Sequence, residues 1–312
     1  MSVSIRDAYG RALAKYGERA DVVVLDADVA GSTKSCIFAE KFPARHFNVG
    51  VAEQNMLGMA AGFASTGKIP FVNTFAVFLT SIGFMAARTL GSYSGLNMKL
   101  MGAYGGMSDA FDGPTHHALE DIAIMRTLPG FQVYVASDAD QADWIVKHCI
   151  EEEGPVYVRL SREAFPALYQ EDTVFETGKG MIVREGSVAT VIACGLMVGH
   201  ALEAAKILEK EGISLRVVDM FCIKPIDKEL ILRCARETDA IVTAEEHSVI
   251  GGLGGAVAEV LSAGGCRVVQ GFVGMEDTHG ECGPYAALQE KYGLTPERIA
   301  ETVRECIRRE PE

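Results

Sequence analysis

The sequence predicts an α/β protein of two consecutive domains, each a mostly parallel sheet flanked by helices. Helical and strand patterns alternate along most of the 312 residues, and the strand patterns are apolar on both faces. Strands of this kind, bounded by helices, are typical of a parallel sheet that is covered on both sides. The alternation is interrupted by the polar, irregular stretch 166–178 and then restarts, so we expect domains at 1–172 and 178–312.

The elements of the first domain follow from periodicity and stop signals. Residues 5–16 are amphipathic, 21–26 form a near-continuous apolar run, and Pro43 and Gly67 each follow a helical pattern that they would end. Further helices are expected at 32–42, 52–66, 75–93, 118–127 and 139–152. Further strands are expected at 45–48, 69–73, 98–101, 132–135 and 156–160.

The second domain repeats the alternation on a smaller scale. Strands are expected at 188–194, 214–219, 240–244 and 267–273, with helices at 198–211, 227–236 and 256–262. The glycine run Gly251–Gly255 suggests a dinucleotide loop, but six residues separate it from the preceding strand and the final glycine of that fingerprint is missing. We therefore expect these glycines to permit tight helix packing.

Composition limits the classes of partner. The formal net charge of −13 argues against a nucleic-acid or anionic-membrane surface, and no apolar run reaches membrane-spanning length. The eight cysteines are scattered, without a Cys-x-x-Cys pair or a Cys/His cluster at metal spacing. Such cysteines are typical of a reducing cytoplasm, and the N-terminus lacks the features of a signal peptide. No metal site is expected within this chain.

The most informative stretch is 47–56, where an extended segment turns into a helix that begins near Glu53. Small and apolar residues, among them Met56 and Leu57, surround this acid, so we expect it to be poorly solvated. A buried carboxylate needs a partner with which it shares a proton. The alternative is a surface acid stabilised by the helix dipole in the first turn.

Other candidate residues follow predicted strands, where ligands bind in open parallel sheets. Asp28 and Ser32 offer a carboxylate and a hydroxyl at a helix start, although Ser32 could instead be a plain helix cap. Phe75 and Phe78 lie three residues apart on one helical face. They could be core residues or a platform for a cofactor. Arg162 could capture a phosphate in bidentate fashion or could be a solvated arginine.

The long loop 102–115 and the residues that follow it concentrate polar groups. The loop ends in Asp112-Gly-Pro-Thr and runs into His116 and His117. Loops of this length in compact domains are usually functional. A histidine can act as a donor or an acid, and an aspartate four residues away can fix a hydroxyl. We therefore expect this loop to contact a substrate.

Taken together, these motifs resemble the C-terminal half of transketolase over nearly the whole chain. The segments in the first domain are Val-Gly-Val-Ala-Glu-Gln-Asn-Met (49–56), Asn-Thr-Phe-Ala-Val-Phe (73–78), Asp-Gly-Pro-Thr-His (112–116) and Leu-Ser-Arg-Glu (160–163). The later ones are Ile-Lys-Pro-Ile-Asp (223–227) and Ala-Glu-Glu-His-Ser (244–248). The resemblance implies a pyrimidine-binding domain at 1–172 and the family's C-terminal domain at 178–312.

The resemblance also implies roles. Glu53 would hydrogen-bond N1′ of the aminopyrimidine of thiamine diphosphate, and Glu53 and His116 would be the catalytic residues. The cofactor-binding set implied is Glu53, Phe75, Phe78 and Asp28. The substrate-binding set implied is Arg6, Ser32, Tyr104, Asp112, His116 and Arg162. Tyr104 stands where the better-known enzymes have a histidine, so we expect either the phosphate affinity or the identity of the acceptor to differ. Ser81 stands where they have a further aromatic, so we expect a thinner wall against the pyrimidine.

One absence decides the expected assembly. The family's diphosphate-binding domain carries a Gly-Asp-Gly segment and an Asn that holds Mg²⁺, and nothing in this sequence matches them. We expect a split, cytoplasmic transketolase of the pentose phosphate pathway that acts on sugar phosphates. Its N-terminal diphosphate-binding subunit would supply the Mg²⁺ ligands in an α2β2 heterotetramer. The alternatives are the β subunit of a 2-oxo acid dehydrogenase, a deoxyxylulose-phosphate-synthase-like enzyme and a non-catalytic regulatory subunit.

Overall fold

A computed structural model describes residues 3–165, 167–170 and 172–309 of the chain. Two large sheets, one of seven strands and one of five, organise these residues, and parallel pairing dominates both. The predicted α/β class with two mostly parallel, helix-flanked sheets is confirmed. Pro166 and Glu171 of the predicted linker lie outside the described residues, as do Met1, Ser2 and 310–312 at the ends of the predicted domains.

The first part of the chain alternates strands and helices. Its strands are β1 Val3–Ser4, β2 Val22–Asp26, β3 His46–Asn48, β4 Ile69–Phe75, β5 Lys99–Ala103, β6 Gln132–Val135, β7 Val156–Arg159 and β8 Ala164–Phe165. Its α-helices are α1 Ile5–Tyr16, α2 Ala30–Thr33, α3 Cys36–Lys41, α4 Glu53–Ser65, α5 Ala76–Thr80, α6 Phe84–Ala86, α7 Asp121–Arg126 and α8 Ala139–Glu151. A 3₁₀ turn at Pro43–Arg45 and a π-helical turn at Ala87–Tyr93 complete it.

The second part continues the alternation. Its strands are β9 Met181–Arg184, β10 Ala189–Ala193, β11 Leu215–Asp219, β12 Cys222–Lys224, β13 Ala240–Ser248 and β14 Val269–Met275. Its helices are α9 Leu196–Glu209, α10 Lys228–Glu237, α11 Leu253–Ala263, α12 Tyr285–Lys291 and α13 Pro296–Ile307. No helix among the described residues is long and apolar enough to cross a membrane.

The larger sheet has the strand order β12-β6-β7-β5-β4-β2-β3, and helices cover both of its faces. Alternate residues of β2 show this arrangement. Val22 and Val24 pack into the cluster that contains α1, whereas Val23 and Leu25 pack into the cluster that contains α4. The continuous apolar run of this strand follows from that two-sided burial.

The second sheet has the order β14-β13-β10-β11-β9, with β9 antiparallel to β11. Strand β12 lies between β11 and β13 in the sequence but is not part of this sheet. It pairs with β6 of the larger sheet in antiparallel fashion. Lys224 of this strand donates to the carbonyl oxygens of Arg126, at 3.0 Å, and Leu128. The two sheets are therefore joined by a strand as well as by the connecting segment.

Two predicted helices are interrupted. The helix predicted at 32–42 is broken at Lys34, whose φ of 67° lies in the left-handed region. The helix predicted at 75–93 stops at Thr80 and resumes as a short α-turn and a π-helical turn. The hydroxyl of Thr80 donates to the carbonyl oxygen of Ala76 at 2.8 Å, a back-bond that competes with regular helix geometry.

The glycine run 251–255 spans the start of α11, where a Cβ on Gly254 would lie 2.7 Å from Cδ1 of Phe272 on β14, so this helix packs tightly, as expected. The carboxylate of Glu245 accepts hydrogen bonds from the amides of Leu253 at 2.7 Å and Gly254 at 2.8 Å. It therefore satisfies two of the free N–H groups at the start of this helix. A Cβ on Gly252 would lie 2.1 Å from Oε2 of Glu245, so only glycine fits there.

Candidate functional site

One edge of the larger sheet collects the residues that the sequence singled out. Strands β2, β3, β4, β5 and β7 are parallel, so their carboxyl ends meet there. Asp28 follows β2, Glu53 follows β3, Phe75 ends β4, Tyr104 follows β5 and Arg162 follows β7. This is where open α/β sheets bind their ligands.

Glu53 is the first residue of α4 and is 5% exposed, so the expected burial is confirmed and the surface alternative is wrong. The chain reaches it through Gly50, whose φ of 74° lies in the left-handed region. The hydroxyl of Thr74, near the end of β4, donates to Oε1 of Glu53 at 3.3 Å. Within the described residues this is the single donor to the carboxylate, which leaves it able to accept from a bound molecule.

Four rings form a wall that includes Phe75, the residue after Thr74. The rings of Phe75 and Tyr104 stack with centroids 4.5 Å apart, and Phe78 lies 5.9 Å from Phe75. His116 approaches Phe78 edge-on at 5.2 Å. The wall therefore joins the two predicted cofactor-binding aromatics to a predicted substrate-binding histidine.

Tyr104 lies between two arginines. The guanidinium carbons of Arg6 and Arg162 are each 5.3 Å from the centroid of its ring, within cation–π range. Nη1 of Arg6 also donates to the phenol oxygen of Tyr104 and, at 3.2 Å, to the carbonyl oxygen of Ser32. Tyr104 adopts a φ of 60°, which is rare for a bulky residue and occurs chiefly at functional sites.

Ser32 lies inside α2, so the alternative that it caps a helix is wrong. Its carbonyl oxygen contacts Arg6. The side chain that organises this turn is the buried carboxylate of Asp26, which accepts from the amide of Val29 at 2.6 Å and the hydroxyl of Thr33 at 3.0 Å. Burial raises the pKa of Asp26, and these hydrogen bonds oppose that rise.

Arg162 is also paired with a carboxylate that the sequence did not single out. Its Nη1 lies 3.0 Å from Oδ1 of Asp109, which is fully buried. The pKa of Asp109 is raised, first by burial and then by the negative charge of Asp112, while Arg162 opposes that shift. The loop thus holds two neighbouring carboxylates, with Asp112 exposed and Asp109 beneath it.

Asp28 lies at the opposite side of this edge. It adopts a φ of 66°, a conformation that aspartate tolerates better than most residues. Nδ2 of Asn48, the last residue of β3, donates to Oδ1 of Asp28 at 2.7 Å. Two neighbouring strand ends therefore fix the orientation of this carboxylate.

Two family models match this chain over most of its length. The model for the pyrimidine binding domain of transketolase matches residues 1–167, and the model for the transketolase C-terminal domain matches residues 178–299. The chain belongs to the transketolase family. In this transketolase chain the polar loop and the buried Glu53 both lie within the match to the pyrimidine binding domain.

Individual relatives show the same relationship. The chain is 40% identical to the 6-deoxy-6-sulfo-D-fructose transketolase subunit of a Clostridium species, covering 98% of this chain and 95% of that one. It is 36% identical to human transketolase, covering 98% of this chain but 49% of the human protein. A solved structure described as a split gene transketolase in an inactive β4 tetramer is 48% identical, with a TM-score of 0.90 and 99% coverage of both chains.

The sequence did not single out Asp109, Thr74 or Asn48 as contacts of these residues. Thr74 immediately precedes Phe75, so its place at the strand end was a usable signal. Asp109 lies in the long loop, but nothing local distinguishes a buried aspartate from an exposed one. The described residues contain no group of three or more His, Cys, Asp or Glu side chains that could hold a metal ion.

Proposed function

We propose that this chain is the pyrimidine-binding subunit of a split transketolase, which transfers a two-carbon ketol unit from a ketose phosphate to an aldose acceptor. It would act with thiamine diphosphate and with a second subunit that binds the diphosphate and Mg²⁺. The observation that carries this proposal is the buried Glu53, which has one long hydrogen bond and lies beside an aromatic wall. We place the boundary of its two domains between 172 and 178.

The residues fit the aminopyrimidine of this cofactor. A buried carboxylate with one donor at 3.3 Å needs a further donor, and a protonated ring nitrogen supplies one. Phe78 is half-buried and Phe75 supports it, so a flat ring can stack against them. When bound, thiamine diphosphate supplies the carbon nucleophile that carries the transferred unit.

The chain's own residues would then have three roles: holding a proton, orienting the substrate and binding its anionic group. Glu53 holds a proton at N1′ of the aminopyrimidine, and its burial keeps water from competing for that proton. His116 and Asp112 orient the substrate's hydroxyls near the reacting carbons. Arg6 and Arg162 hold the terminal anionic group of the sugar. Tyr104 lies between them, and its phenol oxygen accepts a hydrogen bond that fixes Arg6.

The charges of the proposed clamp bear on which sugars the enzyme accepts. The clamp has two guanidinium groups, one of which is paired with the Asp109 carboxylate. Tyr104 adds a hydroxyl and no cation, in contrast to a histidine. The relative that acts on a sulfonated sugar shows that members of this family accept anionic groups other than phosphate. We propose a sugar with one terminal anionic group.

A partner subunit is supported by the relatives and by the surface of the chain. A transketolase subunit and a split gene transketolase are matched over 95% and 99% of their own lengths. Several exposed apolar side chains of this chain lie around α4, α6 and the π-helical turn, which contact one another. These side chains are Val51, 80% exposed, Ile82, 52%, Met85, 57%, and Tyr93, 90%. Exposed apolar groups that are close together mark interaction surfaces. We propose an α2β2 heterotetramer, in a cytoplasm that keeps the cysteines reduced, as they are in the described structure.

The test is reconstitution. The chain is co-purified with a candidate transketolase N-terminal subunit from the same organism. The pair is assayed with thiamine diphosphate, Mg²⁺ and a panel of phosphorylated and unphosphorylated sugars. Ketol transfer by the pair, and none by either subunit alone, is the expected result. Turnover of a 2-oxo acid without ketol transfer would overturn the proposal. The Glu53→Gln pair is the matched negative control.

A further inference from the structure

Residues of the second domain bind a loop of the first domain. We call this loop, residues 105–119, the substrate loop. Among the described residues, three backbone groups of this loop are bound by the second domain. The amide of Met107 donates to Oε1 of Glu246 at 3.0 Å. The carbonyl oxygen of Ala110 accepts from the amide of Gly283 at 3.1 Å. The carbonyl oxygen of Leu119 accepts from the amide of Ser248 at 2.8 Å.

The same loop also packs closely against the second domain. A Cβ on Gly113 would lie 2.2 Å from Sγ of Cys282, and one on Gly280 would lie 2.3 Å from Nδ1 of His117. The segment before α12 therefore lies directly against the part of the loop that carries Asp112 and the two histidines. Each of these contacts joins residues more than a hundred positions apart in the sequence.

Within the described part of the second domain, Glu246 is the buried carboxylate that binds this loop. It is 5% exposed, and the same Oε1 also accepts from the hydroxyl of Tyr285 at 2.9 Å. Gly106 passes so close that a Cβ there would lie 2.3 Å from Cδ of Glu246, and its φ is 69°. The backbone at the start of the loop is thus shaped around this carboxylate.

Several charged and titratable groups face Glu246. Arg159 at the end of β7 is buried, binds the carbonyl oxygen of Glu246 through Nη2 at 2.6 Å and lies 3.1 Å from Asp121 through Nε. Tyr285 on α12 donates to the carboxylate, and Glu163 lies near it after β7. Burial raises the pKa of Glu246 to about 7, and the charge of Arg159 opposes that rise.

We propose that Glu246 is a positioning residue, which fixes the first turn of the substrate loop from the second domain and so places Asp109, Asp112 and His116 for the sugar. The effect on the sugar rests on the function proposed above, whereas the effect on the loop does not. An ionised acceptor makes a stronger hydrogen bond to an amide than a neutral one does. The amide of Met107 opposes the rise in the pKa of Glu246, so detachment of the loop while Glu246 stays buried is least favourable when Glu246 is ionised. The loop is therefore held most firmly above pH 7, and it loosens as the pH falls below about 7.

The decisive experiment is hydrogen–deuterium exchange on the full-length chain, with protection factors for the peptides that cover 105–119. Glu246→Ala removes the acceptor, and we expect at least tenfold faster exchange in these peptides. Glu246→Gln keeps an oxygen for Met107 but does not titrate. We therefore expect near-wild-type protection that is the same at pH 6 and pH 8, while wild-type protection falls at pH 6.

Glu245→Ala is the matched control, because Glu245 is equally buried on the same strand but binds the start of α11. It should speed exchange at 253–254 and leave the loop unchanged. Loop exchange that is unaffected by Glu246→Ala, or equally affected by Glu245→Ala, would overturn the proposal. If Glu246→Ala does not fold, the pH comparison of wild type and Glu246→Gln decides the matter by itself.

Turnover gives a second, separate readout in the assembled enzyme. The sugar KM of wild type should rise towards pH 6, and that of Glu246→Gln should stay flat, with kcat changed less in both. A structural role alone would change stability without this difference in pH profile. If no variant and no wild type turned over any sugar, the proposed function would fail, while the exchange result would still decide the role of Glu246.

Discussion

Replacement of Arg162 by alanine tests the anion clamp. The side chain is 40% exposed, lies over the ring of Tyr104 and pairs with the buried Asp109 at 3.0 Å. The substitution therefore removes one of two cations from the proposed clamp and leaves a buried carboxylate without its counter-charge. The first effect concerns the substrate, whereas the second concerns the loop.

The magnitude follows from these contacts. A hydrogen bond to a charged group contributes about 1.5–3 kcal/mol, which is roughly ten- to hundredfold in KM. Partial exposure screens this contact, so we expect the lower end, about ten- to thirtyfold. Loss of the neighbouring cation should also raise the pKa of Asp109 further. Arg162→Lys keeps the charge but not the paired donors and should give an intermediate value.

The assay compares KM for a phosphorylated and an unphosphorylated aldose in the assembled enzyme, with thermal melting of each variant as a control. KM for the phosphorylated sugar should rise, and KM for the unphosphorylated sugar should change little. An equal rise for both sugars would refute a role in anion binding. A large fall in melting temperature would indicate that the pairing with Asp109 is the dominant contribution.

Three further outcomes are expected. Glu53→Gln keeps an acceptor for Thr74 and should retain assembly and melting temperature, yet lose at least a hundredfold in turnover; normal turnover would remove Glu53 from the chemistry. The isolated chain should not bind thiamine diphosphate at micromolar concentration in calorimetry with Mg²⁺, and tight binding would argue against a partner's diphosphate site. Global unfolding exposes Glu246 to water, unlike local detachment of the loop. The pKa of this carboxyl is about 7 in the folded state and 4.5 ordinarily, so the wild-type free energy of unfolding should fall as the pH rises through that window. Glu246→Gln lacks this loss, which is on the order of 3 kcal/mol. Urea unfolding should therefore show that the free energy of unfolding falls between pH 5 and pH 8 in wild type more than in Glu246→Gln. An equal change in both proteins would contradict the raised pKa of Glu246.

Local patterns were sufficient for much of the fold. The helix Ile5–Tyr16 and the strand Gln132–Val135 occur at the predicted bounds, since amphipathic and apolar periodicity reports burial directly. The helix Pro296–Ile307 was missed although Thr295 and Pro296 form a usual start signal, with Thr295 accepting from the amide of Arg298. The break after Thr80 was not predictable, because back-bonding hydroxyls leave no mark on periodicity.

The candidate site divides in the same way. Glu53, Phe75 and Arg162 follow strands, and a parallel sheet brings strand ends together whatever their separation in the sequence. The pairing of Arg162 with Asp109 and that of Met107 with Glu246 arise from tertiary packing. No pattern within a short window encodes such contacts, so the residues that support the loop could be found only from the structure.

The transfer of β12 to the larger sheet has a consequence for how the chain can be divided. Phe221 and Cys222 belong to the same apolar cluster as Tyr134, and β12 covers the outer edge of β6. A fragment that ended at residue 178 would leave this edge as a row of unpaired backbone groups above exposed apolar side chains. Such an edge is a template for pairing with other chains. The first domain, which the sequence delimits as a unit, therefore depends on its neighbour to remain free of aggregation.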